Sequence, residues 1–152
     1  MIEAHGAPHV VAADLDRDGW LDLIFGSSAS RRYQDADGPG LIYWGSPDGL
    51  QASKPTPLES FTSLDTTVAD WNRDGNLDIA FTNYKSGTTR DLPAFIYWGD
   101  GGRGYGSRNR TLLRASSSAA VDSLDLDRDG WVDLVVSNHQ VDFDHAAGTN
   151  IY

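Results

Sequence analysis

The chain has 152 residues, 39% of them hydrophobic and 22% charged, with a formal net charge of −10 and no cysteine. That length suffices for one ordinary domain with its own core, and the composition is globular rather than disordered. The acidity argues against nucleic acid or an anionic membrane as partner, and the missing cysteines exclude a disulfide framework and a thiolate metal site.

Residues 9–13 read as a short extended run, followed by Asp14-Leu15-Asp16-Arg17-Asp18-Gly19-Trp20-Leu21-Asp22. Four carboxylates this close repel one another unless a cation sits among them. Their spacing suits a hard cation with oxygen ligands, and calcium is the natural candidate. Asp14, Asp16 and Asp18 would offer side-chain oxygens, Trp20 its backbone carbonyl and Asp22 a last carboxylate. Gly19 allows the sharp turn between them.

Residues 21–25 then form a largely apolar run of strand length, and a third strand is expected over 40–44. A polar, Gly-rich turn (Ser46-Pro47-Asp48-Gly49) leads to a weaker fourth strand over 56–60. The same order recurs. Residues 66–69 precede a second loop with Asp70, Asn72, Asp74, Asn76 and Asp78 as candidate ligands, and strands follow over 77–81, 94–98 and 111–115. Residues 121–124 precede a third loop with Asp125, Asp127, Asp129, Trp131 and Asp133, and a strand over 132–136. Asn72 is a neutral ligand, so the second site should bind less tightly.

The loop starts differ by 70 − 14 = 56 and 125 − 70 = 55 residues. A second marker keeps that beat: Ile42-Tyr43-Trp44-Gly45, Ile96-Tyr97-Trp98-Gly99 and Ile151-Tyr152. Repeating units of four antiparallel strands predict an all-β chain of β-propeller blades, with unit boundaries near 5–60, 61–115 and 116–152. Residues 1–4 fall where a fourth strand belongs, so one blade would be split between the two ends and three blades would leave an incomplete ring. Unpaired terminal strands predict self-association, head to tail, into a ring or a filament. A fragment of a larger six- to eight-bladed surface protein is the other account. An EF-hand is excluded, since its position 12 needs a bidentate Glu and this chain has Phe25, Phe81 and Val136 there.

The D-x-D-x-D-G-x-x-D loop followed by an apolar strand resembles the FG-GAP/VCBS repeat, and Tyr43-Trp44-Gly45-Ser46-Pro47-Asp48-Gly49 and Tyr97-Trp98-Gly99-Asp100-Gly101-Gly102 resemble its glycine-rich turn. The resemblance implies calcium-binding propeller blades of the kind found in integrin alpha chains and secreted or surface bacterial proteins. It implies up to three calcium ions, one per repeat. Function follows less directly, because propellers host adhesion modules, lectins and lyases alike.

Eleven of the 22 acidic residues lie in the three loops, and three divalent ions would bring the net charge from −10 to −4. Arg17, Arg73 and Arg128, at position 4 of each loop, are expected to point outward and pair with a nearby carboxylate. Trp20, Trp131, Trp44 and Trp98 are expected to pack within or between blades, a sugar-stacking role being the alternative. The segments 27–39, 83–93 and 138–150 vary most between units and are the candidate ligand surface, glycan or protein. They carry Arg31, Arg32, Lys85 and Arg90 beside Tyr33 and Tyr84, and also His139, Asp142, Asp144 and His145. Those last four are expected to lie in an exposed loop rather than a transition-metal site. Asn109-Arg110-Thr111 is a glycosylation sequon.

No nucleophile elbow, Cys/His pair, HExxH or phosphate-cradling loop is present, so no catalytic residues are assigned. The expectation is a non-enzymatic, calcium-stabilised module for adhesion, recognition or self-assembly, at the cell surface, outside the cell or in a periplasm. An accessory or catalytic propeller of a polysaccharide-acting enzyme is the alternative. No apolar run of transmembrane length and no basic-then-apolar leader is present, so membrane insertion is not expected and any export signal would lie outside these residues.

Overall fold

In the computed structural model, which describes residues 2, 6–27, 38–139 and 148–152, the chain is all-β. Its strands are β1 (Val10–Ala13), β2 (Asp22–Phe25), β3 (Gly40–Tyr43), β4 (Thr56–Leu58), β5 (Thr66–Ala69), β6 (Asp78–Phe81), β7 (Ala94–Tyr97), β8 (Arg110–Leu113), β9 (Ser118–Leu124), β10 (Asp133–Asn138) and β11 (Thr149–Ile151). One short 3-10 turn, Ser107–Asn109, precedes β8. The strands form three antiparallel sheets in the orders β1-β2-β3-β4, β5-β6-β7-β8 and β11-β10-β9.

Each acidic loop closes the hairpin at the start of its sheet. The ladder pairs flanking it are the same in every unit: Ala13 with Asp22, Ala69 with Asp78, and Leu124 with Asp133. The last carboxylate of each motif is therefore also the first residue of the second strand. The innermost strands β1, β5 and β9 lie side by side. Asp65, just before β5, accepts a hydrogen bond from the Val121 backbone N–H at 3.0 Å and lies 2.8 Å from His9 Nδ1, tying together residues of all three units.

The period-two alternation of side chains distributes the core between two interfaces. In the second sheet, Ile79, Phe81, Phe95 and Tyr97 point toward the first blade and join Ala13, Leu15, Ile24, Ile42 and Leu58 in one cluster. Ala80, Ala94 and Ile96 point the other way and meet Val121, Leu134 and Val136 of the third. Strands β6 and β7 are buried throughout, because both of their faces are covered. Continuous apolar runs are what such strands require. Each blade thus contacts its neighbours in sequence, as propeller blades do, and the sheets stay open rather than closing on themselves.

Residues 116–152 supply three strands among the described residues, and the strand expected over residues 1–4 falls mostly outside them. Ile2 is not in a strand, and Met1, Glu3 and Ala4 lie outside the described residues, as do residues 28–37 and 140–147 of the variable segments. One expectation needs correction: the fourth strands end earlier than expected, at Leu58 and Leu113, and β8 begins one residue early because Arg110 already pairs with Tyr97.

Candidate metal-binding loops

The three loops share one backbone conformation. Position 6 has φ of +88° at Gly19, +88° at Gly75 and +89° at Gly130. Position 4 is also left-handed, with φ of 60° at Arg17, 56° at Arg73 and 65° at Arg128. Two left-handed residues in a six-residue arc curl the chain so that its carboxylates converge. The first carboxylate of each loop then accepts from the position 6 N–H: Asp14 from Gly19 at 3.0 Å, Asp70 from Gly75 at 2.8 Å, and Asp125 from Gly130 at 2.9 Å. The fifth accepts from position 7: Asp18 from Trp20, Asp74 from Asn76 and Asp129 from Trp131, at 2.9, 2.7 and 2.7 Å.

This curl brings carboxylate oxygens of Asp14, Asp16 and Asp18 within 4.8 Å of one another, and does the same for Asp125, Asp127 and Asp133. One oxygen, Asp14 Oδ1, is buried with no hydrogen-bond donor. A buried anionic oxygen facing other carboxylates fits a cation ligand, and the all-oxygen donor set fits a hard divalent ion. In the second loop, Asn72 Nδ2 donates to Asp74 Oδ2 at 3.0 Å, so part of the crowding is relieved within the loop.

The ninth position has a second task. Asp22 Oδ2 accepts from the Leu15 N–H at 2.8 Å and Oδ1 from the Gly45 N–H at 2.7 Å. Asp78 repeats this with Trp71 at 3.1 Å and Gly99 at 2.9 Å. Asp133 accepts from Leu126 at 2.8 Å. Both Asp22 and Asp78 are fully buried, and burial pushes the Asp22 carboxyl up from its ordinary range. Burial lifts Asp78 further, to about 6, opposed by the Gly99 and Trp71 N–H bonds and reinforced by Asp74 and Asp70. A carboxylate oxygen has two lone pairs, so these backbone bonds leave capacity for a metal.

The Tyr-Trp-Gly marker acquires a physical reason here. A Cβ at Gly45 would lie 2.5 Å from the Leu21 carbonyl oxygen, and one at Gly99 would collide with the carbonyl of Leu77. Only glycine lets the end of the third strand approach the loop and donate to its last carboxylate. The preceding Trp44 is buried and bonds Thr56 Oγ1 through Nε1 at 2.8 Å; Trp98 bonds Thr111 in the same way at 2.9 Å.

The arginines at position 4 do not pair with carboxylates among the described residues. Arg73 instead lies over the Trp131 ring of the next blade, 4.0 Å from its centroid, with Nη2 3.1 Å from where a Gly130 Cβ would stand. Arg17 reaches Gly75 of its next blade at the same 3.1 Å. Trp20 and Trp131, expected to pack within or between blades, stay 45% and 47% exposed, and Trp131 meets the neighbouring blade through Arg73. The sequence reading also missed Arg103. From the Gly-rich turn before β8, it donates to Asp16 Oδ2 at 2.5 Å and Asp18 Oδ2 at 3.3 Å, and stands over Trp44. A lone cation in Gly-Gly-Arg-Gly was the signal available.

Of the variable segments, the described part places Arg90 over Tyr84 at 4.6 Å and Tyr84 edge-on to His139 at 5.6 Å, joining loops of the second and third blades. Arg31, Arg32, Tyr33, Asp142, Asp144 and His145 lie outside the described residues. In the sequon, Asn109 Nδ2 donates to the Trp98 carbonyl at 2.9 Å.

Comparison with curated proteins finds no match. A family model described as an FG-GAP-like repeat matches residues 14–81, from the first acidic loop through β6 and so under half of the chain. Over that stretch, with the hairpin geometry it covers, the chain is similar to the FG-GAP-like repeat.

Proposed function

We propose that this chain is a calcium-stabilised, non-enzymatic propeller-type module acting in recognition or assembly outside the cytoplasm. The observation that carries this reading is Asp14 Oδ1, buried and undonated within a set of converging carboxylates. Calcium would draw on Asp14, Asp16, Asp18, Asp22 and the Trp20 carbonyl in the first loop. The second would use Asp70, Asn72, Asp74, Asp78 and the Asn76 carbonyl, and the third Asp125, Asp127, Asp129, Asp133 and the Trp131 carbonyl. The ion's chemistry here is charge compensation, which couples binding to folding.

The extracytoplasmic setting follows from calcium supply, since loops of this build need more free calcium than cytosol offers. Ligand contact is assigned to the segment around Tyr84, Arg90 and His139, where loops of two blades meet on a rigid scaffold. Calorimetric titration with calcium and with magnesium, paired with thermal melts in chelator, tests the metal. Saturable calcium binding and a raised Tm are expected, with magnesium much weaker. Equal melting in chelator and in calcium would refute the reading.

A further inference from the structure

Residues 82–93, between β6 and β7, and His139, just after β10, sit at the end of the blades opposite the acidic loops, as the antiparallel order requires. The longer connection is ordered by its own hydrogen bonds. Buried Asn83 closes its base, donating through Nδ2 to the Pro93 carbonyl at 2.7 Å, and paired bonds between Ser86 and Thr89, at 3.0 and 2.9 Å, close its tip. Ser117 then ties together the three residues whose side chains meet there. It is fully buried with a φ of 46°, a left-handed turn that recurs at Thr62. Its N–H donates to the Arg90 carbonyl at 2.8 Å, its Oγ donates to the Tyr84 carbonyl at 2.9 Å, and its own carbonyl accepts from the His139 N–H at 3.0 Å. One strained residue thus uses each of its polar groups to fix Arg90, Tyr84 and His139, and strain of this kind persists where geometry must be held for function.

Arg90 lies over the Tyr84 ring, and a stacked guanidinium keeps its N–H edge for a planar acceptor. Neither Arg90 nor Lys85 pairs with a carboxylate among the described residues, although exposed Asp91 is adjacent in sequence. Two such cations, one of them a planar fork, suit a carboxylate. Thr88 and Thr89, exposed at the same tip, offer hydroxyls. None of the exposed large hydrophobic side chains lies in residues 82–93, so the apolar anchor on which a protein partner usually depends is missing there. We propose that Arg90 and Lys85 bind the carboxylate of an acidic sugar, a uronic acid unit of a glycan, whose hydroxyls meet Thr88 and Thr89. Ser117 is the positioning residue. The proposal rests on the recognition part of the function above, naming the ligand of that surface, and not on calcium.

Calorimetric titration of the full chain with a glucuronate-containing oligosaccharide and with its carboxyl-reduced counterpart reads the ligand. Saturable binding of the glucuronate form is expected, weakening as salt rises, with the reduced form at least about 10-fold weaker. Arg90→Gln should lose affinity by a similar factor and Lys85→Gln by about 2- to 5-fold, both with unchanged melting. Ser117→Gly removes the Oγ bond but relieves the left-handed φ, so melting should hold while binding weakens about 2- to 5-fold. A purely structural serine would leave binding where it was. A wild-type chain that binds neither form, or binds both equally, overturns the proposal, as does binding indifferent to Arg90→Gln. Poly-glutamate bound as tightly as the oligosaccharide would assign the surface to an acidic protein and overturn it too. Equal binding of the two sugar forms that Tyr84→Ala abolishes would refute the carboxylate while keeping the recognition surface. Glucuronate binding lost in Arg90→Gln, with melting the same in chelator and in calcium, supports this site while refuting the metal reading.

Discussion

Arg103 donates through Nε to Asp16 Oδ2 at 2.5 Å, although 87 residues of chain separate them. The first acidic loop is therefore served by a cation from the second blade, and the hydrogen bond to Asp16 holds the guanidinium still more firmly protonated. Arg103→Ala should lower the melting temperature of the metal-free chain by the equivalent of about 1 kcal/mol or less, since the pair is partly exposed. Calcium affinity should rise at one site, because a competing positive charge is gone. Chelator melts and calorimetric titration check the two effects separately.

Asp78→Asn should be the most damaging single change in the loops. The carboxylate accepts from both Trp71 and Gly99, and an amide can accept at one oxygen only, leaving its NH₂ facing a backbone donor. A loss of about 1–3 kcal/mol is expected by urea denaturation in chelator.

The same carboxyl sets a pH dependence for the metal-free chain. Its folded pKa of about 6 lies above the ordinary 3.8, so the folded form binds the proton more tightly than the unfolded form. Its contribution is fully present below the ordinary value and lost as pH rises through about 6. Melting in chelator should therefore show a component that weakens from pH 4 to pH 7. That component should be missing from Asp78→Asn.

Gly45→Ala and Gly19→Ala separate two reasons for glycine. At Gly45 a Cβ meets the Leu21 carbonyl oxygen at 2.5 Å and Trp20 Cβ at 3.0 Å, so backbone must shift, at about 1–3 kcal/mol. At Gly19 nothing lies within 4 Å, and the cost is the φ of +88° alone, about 1–2 kcal/mol. Denaturant melts should show Gly45→Ala disturbing Trp fluorescence near Trp44, with Gly19→Ala leaving it unchanged.

Arg73→Ala removes the cation from the Trp131 ring and should cost about 0.5–1 kcal/mol at this exposed site. Arg73→Gly loses the same contact but relieves the left-handed φ of 56°, so it should be the milder of the two. Equilibrium urea unfolding of the paired variants measures the difference.

The hairpins and their order were legible in the sequence because the loop motif and the Tyr-Trp-Gly marker carry local chemistry. Asp22 and Gly45 are 23 residues apart and Asp78 and Gly99 are 21 apart, yet each pair is fixed by one hydrogen bond, so both members left a mark in each unit. The converging loop carboxylates followed from spacing as well. Arg103 and Asp65 did not, because their partners are set by how blades stack, and the stacking is encoded in an alternation too generic to name pairs. The arginines at position 4 misled for the same reason. Sequence showed charge beside charge, while the left-handed turn aims Arg17 and Arg73 at the next blade.

Because β6 and β7 bury one row of side chains against the first blade and the other row against the third, the middle sheet has no free face. Its amides can open only when both neighbours let go, while those of an outer sheet need lose one. Free energy of opening then becomes a property of position in the row rather than of sequence: the repeats are alike as units, and their order alone makes the central one the slowest to exchange its hydrogens.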